Sequence, residues 1–150
     1  MAILDEAARK IIENHSLGFV ASVNGDGTPN LSPKGMMLAI DDGHIVFGEV
    51  RSPGTVANVA ARSTVEINFV DVLARKAVRI RGQAEIIEKE TQAFLVLRPY
   101  FDRWGALADR IRRFVRVRIE TAKVITSPVY DIGATEEELR SRWKAYYQDQ

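Results

Sequence analysis

The segment Val50-Arg51-Ser52-Pro53-Gly54-Thr55-Val56-Ala57-Asn58 puts a guanidinium, two hydroxyls and a glycine where an extended run gives way to a helix. The first turn of a helix has backbone N–H groups without partners, and its dipole favours negative charge. Arg51 carries the planar fork that suits bidentate phosphate contact. Ser52 and Thr55 add hydroxyl donors, and Gly54 lets the backbone approach a ligand closely. The chemistry these types can do together is phosphate binding. The same residues also make a plain strand-to-helix connection, with a Pro-Gly turn and Thr55 as N-cap, and on the residues alone this second reading is the stronger. The Gly-Lys-Ser/Thr of a P-loop is absent.

Other chemistry is thinly represented. There is no cysteine, which excludes disulfides, zinc–thiolate sites and cysteine nucleophiles. His15 and His44 stand apart without metal-ligand spacing, so no metal site is expected. No Ser-His-Asp arrangement emerges, and Asp41 and Asp42 fit a hairpin turn better than acid–base work. Arg110, Arg112, Arg113, Arg116 and Arg118 form a local basic cluster, readable as a nucleic-acid patch, a second anion contact, or a solvated helix end plus the outer face of a strand. The alternation with Val115 and Val117 favours the last. The net charge of +1 also argues against bulk nucleic-acid binding. No side chain stands out as a catalytic acid or base.

The elements around these residues read as one domain over 1–150, a length that buries roughly 70% of the unfolded surface. Leu4, Ala7, Ala8, Ile11 and Ile12 have helical spacing. Gly18 to Val23 reads as a strand, with a turn at Asn24-Gly25-Asp26-Gly27. A second strand runs through Leu31 and Met37 to Ile40, and a third from His44 to Val50, making a three-strand meander. Thr55 to Arg62 reads as a short helix. Val65, Ile67 and Phe69 alternate with Glu66 and Asn68, Val78 and Ile80 with Arg79 and Arg81, and Val115, Val117 and Ile119 with charged residues. Lys89 to about Arg113 reads as helix interrupted near Pro99 and Gly105. A helix over about 135–148 opens with a Thr135–Glu138 capping box and aligns Leu139, Trp143, Tyr146 and Tyr147. The expectation is a mainly β fold with peripheral helices, a six-stranded antiparallel split or closed barrel. No apolar run approaches the ~20 residues of a membrane span. The start Met1 to Glu6 lacks a signal-peptide pattern, so a cytoplasmic protein with no membrane partner is expected.

The motifs occur in a telling order: Gly-Phe-Val-Ala-Ser-Val, Asn-Gly-Asp-Gly-Thr-Pro-Asn, Leu-Ser-Pro-Lys-Gly, Ile-Val-Phe-Gly-Glu, Thr-Val-Ala-Asn-Val and Val-Arg-Ile-Arg-Gly-Gln-Ala-Glu-Ile. Over about residues 4 to 127 the series resembles the pyridoxamine 5′-phosphate oxidase-like FMN-binding split barrels, closest to their small stand-alone members. The resemblance implies FMN in a groove between the subunits of a homodimer. It implies that Ser32, Pro33, Lys34 and Gly35 line the flavin ring and that Gly48 and Glu49 pass beside it. It further implies that Arg51, Ser52, Thr55 and Asn58 hold the phosphate. Many members place a basic residue directly before the threonine, where this chain has Gly54, so Arg51 or Lys34 must supply the cation. Glu49 reads as an outward residue or a partner of Arg51, and Arg79 or Arg81 as able to reach the groove. The implied activity is an FMN-dependent oxidoreductase acting on a small molecule or an electron donor such as NAD(P)H. A non-enzymatic FMN carrier, a deazaflavin in place of FMN, and a cofactor-free anion-binding barrel stand as alternatives. The arginine-rich C-terminal substrate motif of the true oxidase is not found.

Overall fold

A computed structural model describes residues 3–150; Met1 and Ala2, part of the stretch read for a leader, lie outside the described residues. Helix α1 (Glu6–Asn14) starts where the Asp5 carboxylate accepts the Ala8 N–H at 2.8 Å. It buries Ala8, Ile11 and Ile12 and leaves Ala7 outside. The strands are β1 (Gly18–Val23), β2 (Pro29–Lys34), β3 (Met37–Asp41), β4 (His44–Glu49), β5 (Thr64–Asp71), β6 (Lys76–Glu88) and β7 (Arg113–Thr126). Helices α2 (Pro53–Ala61), α3 (Gln92–Leu97) and α4 (Glu136–Gln148) lie between or after them. Among the described residues no helix is long and apolar enough to cross a membrane.

The strands form one antiparallel sheet in the order β2-β1-β5-β6-β7-β4-β3. Two expectations change here. The sheet has seven strands rather than six, and it is not closed. The run from Leu31 to Ile40 is two strands, because β2 pairs with β1 while β3 pairs with β4 at the far end of the order. No straight strand could serve both partners, and the three-strand meander dissolves into two separate hairpins. Only Gly35 and Met36 separate β2 from β3, so Lys34 and Met37 lie within about 11 Å of each other. The sheet therefore curls until its outer strands approach at that point, without the ladder bonds that would seal it. Opposite the seam, β6 and β7 pair along their whole lengths. A register shift sets Arg81 against Thr121 but Gly82 against Ile119, leaving Glu120 as the extra residue of a bulge that bends the pair.

The alternation read from the sequence sorts the two faces of the sheet. Val20, Met37, Phe47, Ile67, Phe69, Val78, Ile80 and Val117 fill the inside, and α1 covers one mouth with Ile11 and Ile12. A second apolar cluster lies beneath α3 and the following 3-10 segment Arg98–Arg110, where Val46, Phe94, Leu97, Phe101, Ile111 and Phe114 meet. Phe114 has its ring centroid 4.7 Å from those of both Phe94 and Phe101, a spacing at which aromatic pairs attract beyond their burial. Pro99 is tolerated at the start of the 3-10 segment, where its missing N–H costs little. Gly105 breaks the segment at φ 55°, ψ −132°, a conformation that needs glycine. This second cluster fixes Trp104 to Arg112 as one wall of a cleft.

Candidate functional site

The cleft has a volume of about 740 Å³, within the range of small-molecule sites. Its floor is the β2–β3 junction, with Pro33, Lys34, Gly35 and Met36. One side is the end of β4 and the entry to α2, with Gly48, Val50, Arg51 and Ser52. Facing them is the wall of Trp104, Leu107, Arg110 and Arg112. The wall is tied to β4 at two points. The Arg112 N–H donates to the Glu49 carbonyl at 2.8 Å, and Ile111 packs so closely on Gly48 that a Cβ there would stand 2.7 Å from its Cδ1. Glycine at 48 is thus what lets the wall close on the strand.

Lys34 is the centre of the floor. Only 7% of it is exposed. Its Nζ donates to Ser52 Oγ at 2.6 Å, Ser32 Oγ at 3.0 Å and Thr55 Oγ1 at 3.3 Å, all neutral partners. Burial pushes the Lys34 ammonium below its ordinary range, with the Glu49 carboxylate pulling the other way. Each of the three hydroxyls accepts from the ammonium, and of the three Ser52 lines the cleft beside Lys34.

Helix α2 begins two residues earlier than read from the sequence, and its N-cap is Ser52 rather than Thr55. Ser52 makes no side-chain cap, because its hydroxyl is engaged with Lys34. The first backbone bond back to the cap is Val56 N–H to the Ser52 carbonyl at 3.2 Å, which leaves the N–H groups of Gly54 and Thr55 without intrahelical acceptors. Such a helix start, next to a buried ammonium, favours an anion.

Of the residues singled out from the sequence, Pro33, Lys34, Gly35, Gly48, Arg51 and Ser52 line the cleft. Ser32 and Thr55 reach it through Lys34. Asn58 does not: its amide is buried and donates to Ser22 Oγ at 3.0 Å and Asn24 Oδ1 at 2.9 Å, fastening α2 to the first hairpin. Glu49 is neither outward nor a partner of Arg51. It is 2% exposed, accepts the Ser52 N–H at 2.7 Å and lies 3.9 Å from Arg113. Arg79 and Arg81 pair with Glu66 on the outer surface and do not line the cleft. The arginine cluster divides: Arg113 and Arg116 pair with Glu88 and Glu85, whereas Arg110 and Arg112 face the cleft. Val50 falls within the segment read from the sequence, whereas Met36, Trp104 and Leu107 were not anticipated. They come from irregular chain whose placement depends on the second apolar cluster, and no local pattern marks them. On α4, the Thr135–Glu138 capping box forms as read and Leu139 is buried. Trp143 lies under the Arg75 guanidinium, and Tyr146 and Tyr147 stay exposed.

The class that fold and site define is an antiparallel sheet curled to an open seam, with a cation-lined cleft at that seam. The chain belongs to the pyridoxamine 5′-phosphate oxidase family, whose model matches residues 4–127. Among solved structures it is similar to Group A Streptococcus HupZ, with a TM-score of 0.72, 24% identity, and coverage of 83% of this chain and 95% of that one. It is similar to a putative pyridoxamine 5′-phosphate oxidase from Lactobacillus delbrueckii, with a TM-score of 0.68, 27% identity, and coverage of 82% and 95%. An FMN-binding protein from Syntrophomonas wolfei shares the fold at a TM-score of 0.67 and 13% identity, with coverage of 81% and 86%. A comparison with curated proteins gave no match.

Proposed function

We propose that the chain binds FMN in this cleft and serves as an oxidoreductase that moves electrons or hydride to or from a small molecule. In this reading the phosphate meets Lys34, Arg51, Ser52, Thr55 and the start of α2. The ring lies along Ser32 to Gly35 and past Gly48, and a second copy of the chain completes the groove. The observation that carries it is Lys34, a buried ammonium hydrogen-bonded only to hydroxyls. A buried charge costs folding free energy unless an opposite charge joins it, and a phosphate would be that charge. Family membership and the FMN-binding neighbour support the same cofactor.

The flavin supplies the redox chemistry when bound, and the protein's share is binding and electrostatics. Glu49 turns its carboxylate to the Ser52 N–H and toward Arg113, so a negative charge is kept out of the cleft. Lys34 and the arginines leave the cleft positive, which favours an anionic form of any ring lying there. Purified protein should take up FMN with a change in visible absorption and bind riboflavin, which lacks the phosphate, at least tenfold more weakly. A preparation that stays colourless after FMN addition would rule the reading out. NADH or NADPH reduction followed by turnover of an acceptor panel separates an enzyme from a carrier that is reduced but transfers to no organic substrate.

A further inference from the structure

Lys34 touches only hydroxyls, yet a buried carboxylate stands behind it. The chain alternates through the end of β4, so Gly48 and Val50 turn to the cleft while Glu49 turns the other way, in line with Ile45 and Phe47 of the barrel interior. The Lys34 Nζ lies on that same side, 5.7 Å from the centre of the Phe47 ring. Ser52 joins the two charges within one residue. Its hydroxyl accepts from Lys34 at 2.6 Å, and its N–H donates to Glu49 Oε1 at 2.7 Å. Glu49 is 2% exposed and does not line the cleft.

A carboxylate buried this deeply needs charges to hold it. Arg113 faces Glu49 across the β4–β7 ladder and Glu88 across the β6–β7 ladder. Its Nε stops 3.9 Å from Glu49 Oε2 and 3.7 Å from Glu88, and among the described residues it makes no hydrogen bond. Arg113 therefore anchors the carboxylate by charge without saturating it, and the Glu49 field still reaches Lys34. Burial pushes the Lys34 ammonium down, and Glu49 is the charge that pulls it back.

We propose that Glu49 is the positioning residue of the floor: it fixes the entry to α2 through the Ser52 N–H, and its carboxylate is the internal counter-charge of Lys34 until a ligand anion takes that place. This rests on Lys34 as the anion site, and on the cofactor reading only for what fills it. The arrangement keeps a cation ready without putting a carboxylate in the ligand's path. Arg51, Arg110 and Arg112 share the cleft, and Glu88 flanks Arg113. Arginine and glutamate side chains hold their charge from pH 7 to pH 10, so Lys34 is the member of this group that titrates in alkali.

The test follows the Lys34 Cε resonance by NMR in flavin-free protein, assigned by its loss in Lys34→Met. Glu49→Gln keeps the shape and can still accept the Ser52 N–H, but the counter-charge is gone, so the Lys34 titration should move to lower pH by about half a unit or more. Arg113→Gln removes a competing cation and should move it to higher pH. The opposite signs separate charge from packing, because loosened packing admits water and raises the titration in both variants. A Glu49→Gln titration at or above the wild-type position overturns the proposal. Should that variant fail to fold, Arg113→Gln is set beside Arg113→Lys. A rise in the first with none in the second supports the charge role, and any other pattern overturns it. FMN titrations form a separate arm, in which the loss of affinity between pH 7 and pH 10 should be roughly twofold greater in Glu49→Gln than in wild type. Equal losses would overturn the exchange of counter-charge for ligand. Failure of the wild type to bind FMN would instead remove the cofactor reading and leave the Lys34 titrations to decide.

Discussion

Two buried charges in this molecule are treated in opposite ways. Asp71, at the end of β5, is 2% exposed and fully partnered within the chain. It accepts the N–H groups of Leu73 at 3.1 Å and Ala74 at 3.0 Å, receives Arg140 Nη2 at 2.5 Å, and lies 3.2 Å from His15 Nε2. Burial works against its ionisation, but Ala74, Arg140 and His15 outweigh that and hold the carboxyl below its usual 3.8. The cluster joins the end of α1, the turn after β5 and helix α4, and the hollow beside it is only about 130 Å³. Lys34, almost as deeply buried, is hydrogen-bonded to hydroxyls and to no carboxylate, and Glu49 acts on it only through space. A charge that folding has already matched is architecture, while one left with neutral partners is set for a ligand.

The sharpest way to break this contrast is to remove each charge in turn. Lys34→Met keeps the bulk and deletes the cation. FMN binding should weaken roughly 100-fold, about 2.8 kcal/mol by the value of a charged hydrogen-bond donor. The flavin-free protein should melt at the same temperature or higher, because a costly buried ammonium has gone. A melting point lowered as far as in an Asp71 variant would make Lys34 a structural residue like its counterpart.

Asp71→Asn should behave the other way round. It leaves Arg140 with Glu136 as its remaining carboxylate, and Arg140 is 41% exposed, so water takes up part of the loss. The expected destabilisation is about 2 kcal/mol, or roughly 4–8 °C in Tm for a chain of this size. FMN affinity should change less than threefold, because none of the Asp71 partners lines the cleft. Thermal melts of flavin-free protein and FMN titrations of both variants give the full two-by-two comparison.

The same contrast explains what could be read from the sequence. Period-2 alternation at Val65 to Phe69, Val78 to Arg81 and Val115 to Glu120 is a local property, and those strands formed where it placed them. The division of Leu31–Ile40 into two strands is not local, since it follows from which partners wait at the two edges of the sheet. At the cleft, Lys34, Arg51 and Ser52 were legible because motif order ties them to a helix start. Asn58 was misplaced because a helix position does not say which way an amide turns, and here it turned to the first hairpin. The Asp71 cluster was invisible: His15, Asp71 and Arg140 lie far apart in the chain, and only the packing of α1 and α4 on the sheet brings them together.

The smallest effect concerns acid. Asp71 has a folded pKa below its unfolded 3.8, so its stabilisation is complete above that value and fades as pH falls through the lower folded one. The Tm gap between wild type and Asp71→Asn should therefore hold steady near pH 5 and narrow below pH 3.8. Glu136, which shares Arg140, also titrates low, but it does so in both proteins and largely cancels from the gap. Lys34 has the opposite sign. Its folded pKa lies below 10.5, so the unfolded chain holds the proton longer, and the cost of the buried ammonium is relieved only as pH rises toward 10.5. The gap between wild type and Lys34→Met should thus be the same at pH 5 and pH 3 and shrink in alkali. If acid closed both gaps alike, the two sites would share one titrating cluster, and the division between a matched charge and a waiting one would fail.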